Sequence, residues 1–409
     1  MSETLVRVPT VVCLASYFKG VDFIRECKAQ GRRVVVITKE KRRGEAWPRE
    51  AIDELHALPN EAAAPEHFIT AVTDAARRHK VAHVVALEEF DVITAGLVRE
   101  HLCVPGMTSS QARVFRDKLA MRGAAQRAGV RVPDFANAYN YQDVGELMER
   151  VPAPWVLKPR MDVSAIGIKK LHEAEEVWRA LDELDARERP HERAPFYLLE
   201  RFVPGEVYHV DSLVAGGEVL FAGVNRYGRP PMNVAHEGGV FISHSIERDS
   251  ANHRALLKLN RKVIKSLGLP HGATHAEFIK SAADGKFYFL EIAARVGGAF
   301  LAETLEAASG LNIWREWAKI EMADAEHPYQ LPTPHNDYAG IVLSLARQEW
   351  PDTSAFTDPE ISYRLRNPYH VGLIVRSPNY DRVPELLNSY AGRFIEEFSA
   401  VAPPRERAE

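Results

Sequence analysis

Cysteine is scarce in this chain, and what there is follows no disulfide or metal-binding pattern. Among 409 residues there are three, Cys13, Cys27 and Cys103. That odd number without paired spacing fits a reducing cytoplasm and apolar filler roles. No stretch approaches the roughly 20 apolar residues of a membrane span, and the first ten residues hold no apolar signal core, so no membrane partner is expected. A basic excess is missing too: 52 Lys and Arg against 56 Asp and Glu leave a net charge of −4, which removes the electrostatic case for nucleic acid. Neither a glycine fingerprint nor a Walker A sequence is present, which counts against dinucleotide-dependent dehydrogenases and P-loop kinases. No spacing of His and Cys supports zinc.

What remains is an ordinary globular composition, 46% hydrophobic and 26% charged, in a chain too long for one compact core. The most informative stretch is 275–298, HAEFIKSAADGKFYFLEIAARVGG. It reads as two strands joined at Ala283-Asp284-Gly285, with Gly285 at the left-handed position of a three-residue loop. Pairing Ala282 with Lys286 sets Glu277 opposite Glu291 on one face. Opposed carboxylates repel, and Glu291 interrupts an apolar run, so either a cation sits between them or the hairpin is a solvated edge. Magnesium is commonly held by one or two carboxylates together with waters and substrate phosphates. Arg295, four residues on, suits bidentate capture of a phosphoryl group.

Upstream, residues 10–106 alternate apolar runs with helical stretches, the pattern of a parallel sheet covered by helices. Glu88-Glu89-Phe90-Asp91 follows a strand end, where open sheets place ligands, although an acidic helix start explains it equally well. A helix over 110–128 carries Lys118 and ends at Gly129. Residues 154–159 form a strand ending at Lys158, followed by a loop over 160–167 and a strand over 168–171, an arrangement able to fold over phosphates. Next, a strand ending in Glu200 meets the turn Val203-Pro204-Gly205 and leads into an alternating strand with Glu206, His209 and Asp211. Acidic residues around an apolar turn suit a nucleoside. Arg226 and Arg229 are candidates for a substrate carboxylate, surface placement being the other reading, and Gly298 closes the central stretch.

In this order the pieces resemble the ATP-grasp superfamily, and within it the carboxylate–amine ligases, over about residues 80–320. The resemblance implies an α/β and α+β multidomain fold: an N-terminal Rossmann-like parallel-sheet domain (1–110), a small lobe (111–200), a large lobe with the metal site (201–330) and a C-terminal α+β appendage (331–409). It implies ATP and magnesium, or manganese in its place, small-molecule carboxylate and amine substrates, an acyl phosphate intermediate, and release of ADP and phosphate; a homo-oligomer is left open. By position, Lys118 and Lys158 correspond to the lysines that approach the phosphates, with Ser164 a contact from the mobile loop. Glu200 corresponds to the acceptor for the adenine amine, Phe202 and Val203 to the hinge beside the ring, and Glu206 to the ribose-binding acid. Glu277 and Glu291 correspond to the paired metal ligands, and Arg295 to the arginine that steadies the transferring group. Two departures stand out: the family's usual Asn two residues after the second glutamate is Ala293 here, and the phosphate loop is poor in glycine. A biotin-carboxylase-like enzyme and a non-catalytic nucleotide-binding protein are the alternatives, the first without a Met-Lys-Met biotinyl signature in this chain.

Overall fold

Near-continuous apolar runs make the first sheet, as expected of parallel strands buried on both faces. The computed structural model describes residues 8–61, 64–162, 167–232, 234 and 238–400. Strands β1 (Thr10–Leu14), β2 (Arg33–Lys39), β3 (Glu54–Leu58) and β4 (Val81–Ala86) pair in parallel in the order β3-β2-β1-β4. All five residues of β1 are buried, while β3, half-buried throughout, has the alternating edge character that hid it among polar neighbours. The order reverses between β1 and β4, and open sheets keep their ligand crevice beyond the carboxyl ends at such a reversal. Two loops meet there. The Ser16 amide and hydroxyl both donate to the Asp91 carboxylate, at 2.7 and 2.6 Å.

The helix expected over 110–128 is two helices, Ser109–Arg113 and Lys118–Arg127. Asp117 causes the break: its side chain accepts from the Leu119 amide at 3.1 Å and the Ala120 amide at 3.5 Å, capping the second helix. Lys118 therefore opens a helix and does not sit within one. A four-stranded antiparallel sheet follows, β5 (Phe135–Asn137), β6 (Trp155–Pro159), β7 (Lys169–Leu171) and β8 (Tyr197–Arg201), in the order β5-β8-β6-β7. Ser164 lies outside the described residues.

The remaining strands form one eight-stranded sheet: β9 (Gly205–Ala215), β10 (Glu218–Tyr227), β11 (Phe241–Ser245), β12 (Gly272–Ser281), β13 (Phe287–Ala293), β14 (Tyr338–Leu345), β15 (Ile361–Arg364) and β16 (His370–Ser377). Its order is β13-β12-β9-β10-β11-β14-β16-β15. The C-terminal strands thus extend the sheet that carries the central hairpin, with β11 pairing to β14. Among the described residues no helix is long and apolar enough to cross a membrane.

Glu277 does face Glu291, but by a different route from the one expected. The turn closes one residue earlier, with the Ser281 amide donating to the Lys286 carbonyl at 2.9 Å. That shift alone would move Glu291 off Glu277. A bulge corrects it: the register slips between Glu277 and Phe278, leaving Leu290 unpaired, because Phe278 faces Phe289. Gly285 holds φ +66° in the turn, as the sequence requires.

Candidate active site

The turn-and-bulge hairpin presents Glu291 to a small cavity shared with other segments, while Glu277 faces Glu291 across the strand pair outside that lining. Lys118, fixed at its helix start by the Asp117 cap, reaches Glu291 at 3.2 Å and donates to the Asp162 carbonyl at 2.7 Å. Its amide donates to the Arg160 carbonyl at 2.8 Å. Arg116 donates to the Met161 carbonyl at 2.6 Å, and Arg160 returns a bond to Asp117 at 2.9 Å. Residues 116–118 therefore clasp the start of the expected phosphate loop.

Arg295 meets Glu89, which comes from the crevice of the first sheet. Its Nε and Nη2 donate to Glu89 Oε2 at 3.1 and 2.7 Å, and Arg116 takes Oε1 at 2.6 Å. Burial alone would raise the Glu89 carboxyl, but the guanidinium groups of Arg295 and Arg116, with Lys118, draw it down to about 2. Glu89, which the sequence left open between a ligand crevice and an acidic helix start, thus lines this cavity. A small cavity lined by Glu89, Arg116, Lys118, Glu291 and Arg295, with His275 and Ala293, brings these groups together.

A second cluster joins β6, β8 and the helix Lys118–Arg127. Glu200 gives Oε1 to Lys158 and Oε2 to Arg122, the latter at 3.2 and 3.1 Å. Burial pulls Lys158 down to about 8, against the attraction of Glu200. Both carboxylate oxygens of Glu200 are engaged, so an adenine amine would share them with Lys158 and Arg122. Arg122, fully buried, also donates to the carbonyl of Leu290, the bulge residue. Sequence reasoning missed it, although it stands one helical turn from Lys118, the spacing that puts two side chains on one face. The Phe202 amide donates to the Pro154 carbonyl at 3.1 Å, its ring lies 4.0 Å beneath the Lys170 ammonium, and Val203 is buried beside it.

Other expected residues sit apart from the cavity lining. Arg226 pairs with exposed Glu206 at 2.7 Å, and Tyr208 donates to the same carboxylate at 2.9 Å. Arg229 is exposed. The Gly298 carbonyl accepts from the Leu301 amide at 3.0 Å, in a segment where Ala299 and Phe300 hold φ of 51° and 59°. Two successive left-handed non-glycine residues are uncommon and mark a constrained turn next to Arg295.

Behind Glu277 runs a buried polar chain that the sequence did not disclose. Asp211 accepts from His209 at 2.6 Å and from His275 at 2.8 Å, each through Nδ1. Burial would lower His275, yet the Asp211 carboxylate, aided by Glu277, raises it to about 10. The three side chains stand close enough to hold a metal ion. The carboxylate already satisfies both rings, so the trio reads first as a hydrogen-bonded unit.

Residues 151–303 match the family model of the ATP-grasp domain. The chain carries an ATP-grasp domain. The chain is 24% identical over 244 residues to the L-arginine-specific L-amino acid ligase of Bacillus subtilis, covering 59% of this chain and 57% of that protein. It is 26% identical over 233 residues to the alanine–anticapsin ligase of Bacillus subtilis, covering 52% and 48%. The chain thus spans about half the length of these curated relatives. In structure it resembles the L-amino acid ligase from Bacillus licheniformis, with a TM-score of 0.74 at 17% identity over 97% of this chain and 99% of that one. Biotin carboxylase from Campylobacter jejuni is also similar in fold, at a TM-score of 0.68 and 15% identity over 95% of this chain and 91% of that one.

Proposed function

We propose that this ATP-grasp protein is an ATP-dependent ligase that joins the carboxylate of one small molecule to the amine of another. The observation that carries the reading is the direct facing of Glu277 and Glu291, with Lys118 on Glu291 and Arg295 lining the same cavity. Two hard carboxylate donors in register fit a magnesium ion, which would be held by Glu277 and Glu291. When bound, it neutralises charge on the phosphates.

The residues of the chain account for the rest. A substrate carboxylate oxygen attacks the γ-phosphorus, the bond to the bridging oxygen breaks, and ADP leaves with its electrons. Anions converge in that step, and Lys118, Lys158 and Arg295 offset their repulsion. The acyl phosphate then yields to the amine: a C–N bond forms, phosphate leaves and the nitrogen loses a proton. The clasp of 116–118 on 160–162 orients Lys118 for this work. Ser164 joins it on resemblance alone, as do Phe202, Val203 and Glu206 around the nucleoside. The likeness to L-amino acid ligases supports L-amino acids as both partners.

Incubation with ATP, magnesium and pairs drawn from the common L-amino acids tests the reading. ADP and phosphate release that requires both a carboxylate and an amine partner is expected. Release of AMP and pyrophosphate, or ATP cleavage driven by bicarbonate and biotin, would contradict it.

A further inference from the structure

The buried polar chain behind Glu277 crosses four neighbouring strands, β12, β9, β10 and β11. It starts at Ser243, which meets His209 Nε2 at 2.6 Å, and passes through Asp211 to His275. Its far end is Glu277. Tyr227 donates to Glu277 Oε1 at 2.8 Å, His275 Nε2 lies 3.5 Å from the same oxygen, and the Tyr227 hydroxyl stands 3.3 Å from His275 Nε2. The register makes this possible: His209 faces Glu277 and Asp211 faces His275 across β9 and β12. Ser243, His209, Asp211, His275 and Tyr227 are all buried, and none of them has an unpartnered buried side-chain atom.

Gathering five buried polar groups behind one carboxylate is costly unless all are satisfied, and a packed apolar core would hold the sheet as well. We infer that the Ser243–His209–Asp211–His275 chain, with Tyr227, is a positioning device that pins Glu277 Oε1 and so presents Glu277 to a divalent cation through its other oxygen. The inference rests on the reading of Glu277 as a metal ligand. Asp211 is the keystone, because accepting at both oxygens makes Nδ1 the donor in both rings and fixes where each Nε2 points. Gly297 closes the arrangement: a Cβ there would lie 2.8 Å from Asp211 Oδ1 and 3.1 Å from His275 Nδ1.

Partners behind a metal ligand typically account for about 10–100-fold in metal affinity. The probe is Mn2+, its binding followed by electron paramagnetic resonance in the presence of a non-hydrolysable ATP analogue, with no turnover needed. Three variants are compared with wild type. Tyr227→Phe removes one hydroxyl and keeps the ring, so it guards against an Asp211→Asn protein that fails to fold; Asp211→Asn puts an NH2 donor at one of the two positions where a ring Nδ1 now finds an acceptor. Both should weaken Mn2+ about tenfold or more, and Glu277→Gln should weaken it further. If Glu277→Gln weakens Mn2+ while folded Tyr227→Phe binds it as wild type does, the positioning role is overturned and the metal-ligand reading survives. If Glu277→Gln leaves Mn2+ affinity unchanged, both fall.

Discussion

Replacing Glu200 by Gln would expose the electrostatics of the buried cluster it forms with Lys158 and Arg122. Glu200 is the shared anion of two buried cations, with Lys158 on one oxygen and Arg122 on the other. Gln keeps the shape and removes the charge. Deleting one partner of a buried ion pair typically costs about 3–5 kcal/mol, because the remaining charge stays desolvated. For a melting unit of roughly 200 residues that is a fall of roughly 7–12 °C in melting temperature at neutral pH. Lys158 supplies a relief valve. It sits at about 8 in the native protein, lowered by burial and held up by Glu200; without Glu200 it falls further and releases its proton. Between that lower value and about 8, the wild-type folded state binds more protons than the variant's, so the stability deficit narrows as pH rises and is constant beyond. Thermal melts of both proteins from pH 6.5 to 9 measure it. A melting temperature unchanged by Glu200→Gln, or a deficit that does not vary with pH, would refute the reasoning.

Asp91 predicts a slope of the opposite origin. Burial raises its carboxyl to about 6 against the two bonds from Ser16, so the folded state holds a proton that the unfolded chain, near 3.9, releases. Its contribution, on the order of 3 kcal/mol, is present below about pH 4 and lost as pH rises through about 6. Relative to Asp91→Asn, wild type should therefore lose melting temperature between pH 4 and pH 6.5; parallel profiles would count against it. Ala293 is buried on β13 opposite His275, two residues from Glu291. Under the proposed metal site, Ala293→Asn adds a neutral oxygen ligand beside the carboxylates, so the magnesium concentration for half-maximal turnover should fall, at a packing cost of about 1–3 kcal/mol. An unchanged or raised requirement in a folded variant means that the position lies outside the metal shell.

Periodicity and turn chemistry disclosed the strands of the first sheet other than β3, the segment ending at Lys158, and the pairing of Glu277 with Glu291. That pairing rests on two sequence-local shifts that cancel, a turn closed at Ser281 and Lys286 and a bulge at Leu290. Only the turn has a composition signal. The bulge leaves Leu290 out of the ladder, and its carbonyl accepts from Arg122, 168 residues away in sequence. Glu89 stayed undecided and His275 unread for the same reason: an acidic residue at a strand end and a histidine before a glutamate become informative only once Arg295 and Asp211 are known to face them. Asp117 was legible in principle, since an aspartate before a helical run is a cap signal. Continuity of the apolar pattern across 110–128 outweighed it.

Oxygen transfer tests the central claim most directly. L-Amino acids labelled with oxygen-18 in the carboxylate are supplied with ATP and magnesium, and the released phosphate is analysed by mass. Attack of the carboxylate on the γ-phosphorus predicts one labelled oxygen per phosphate, with ADP formed in equal amount. Unlabelled phosphate accompanying a new amide bond would contradict the account.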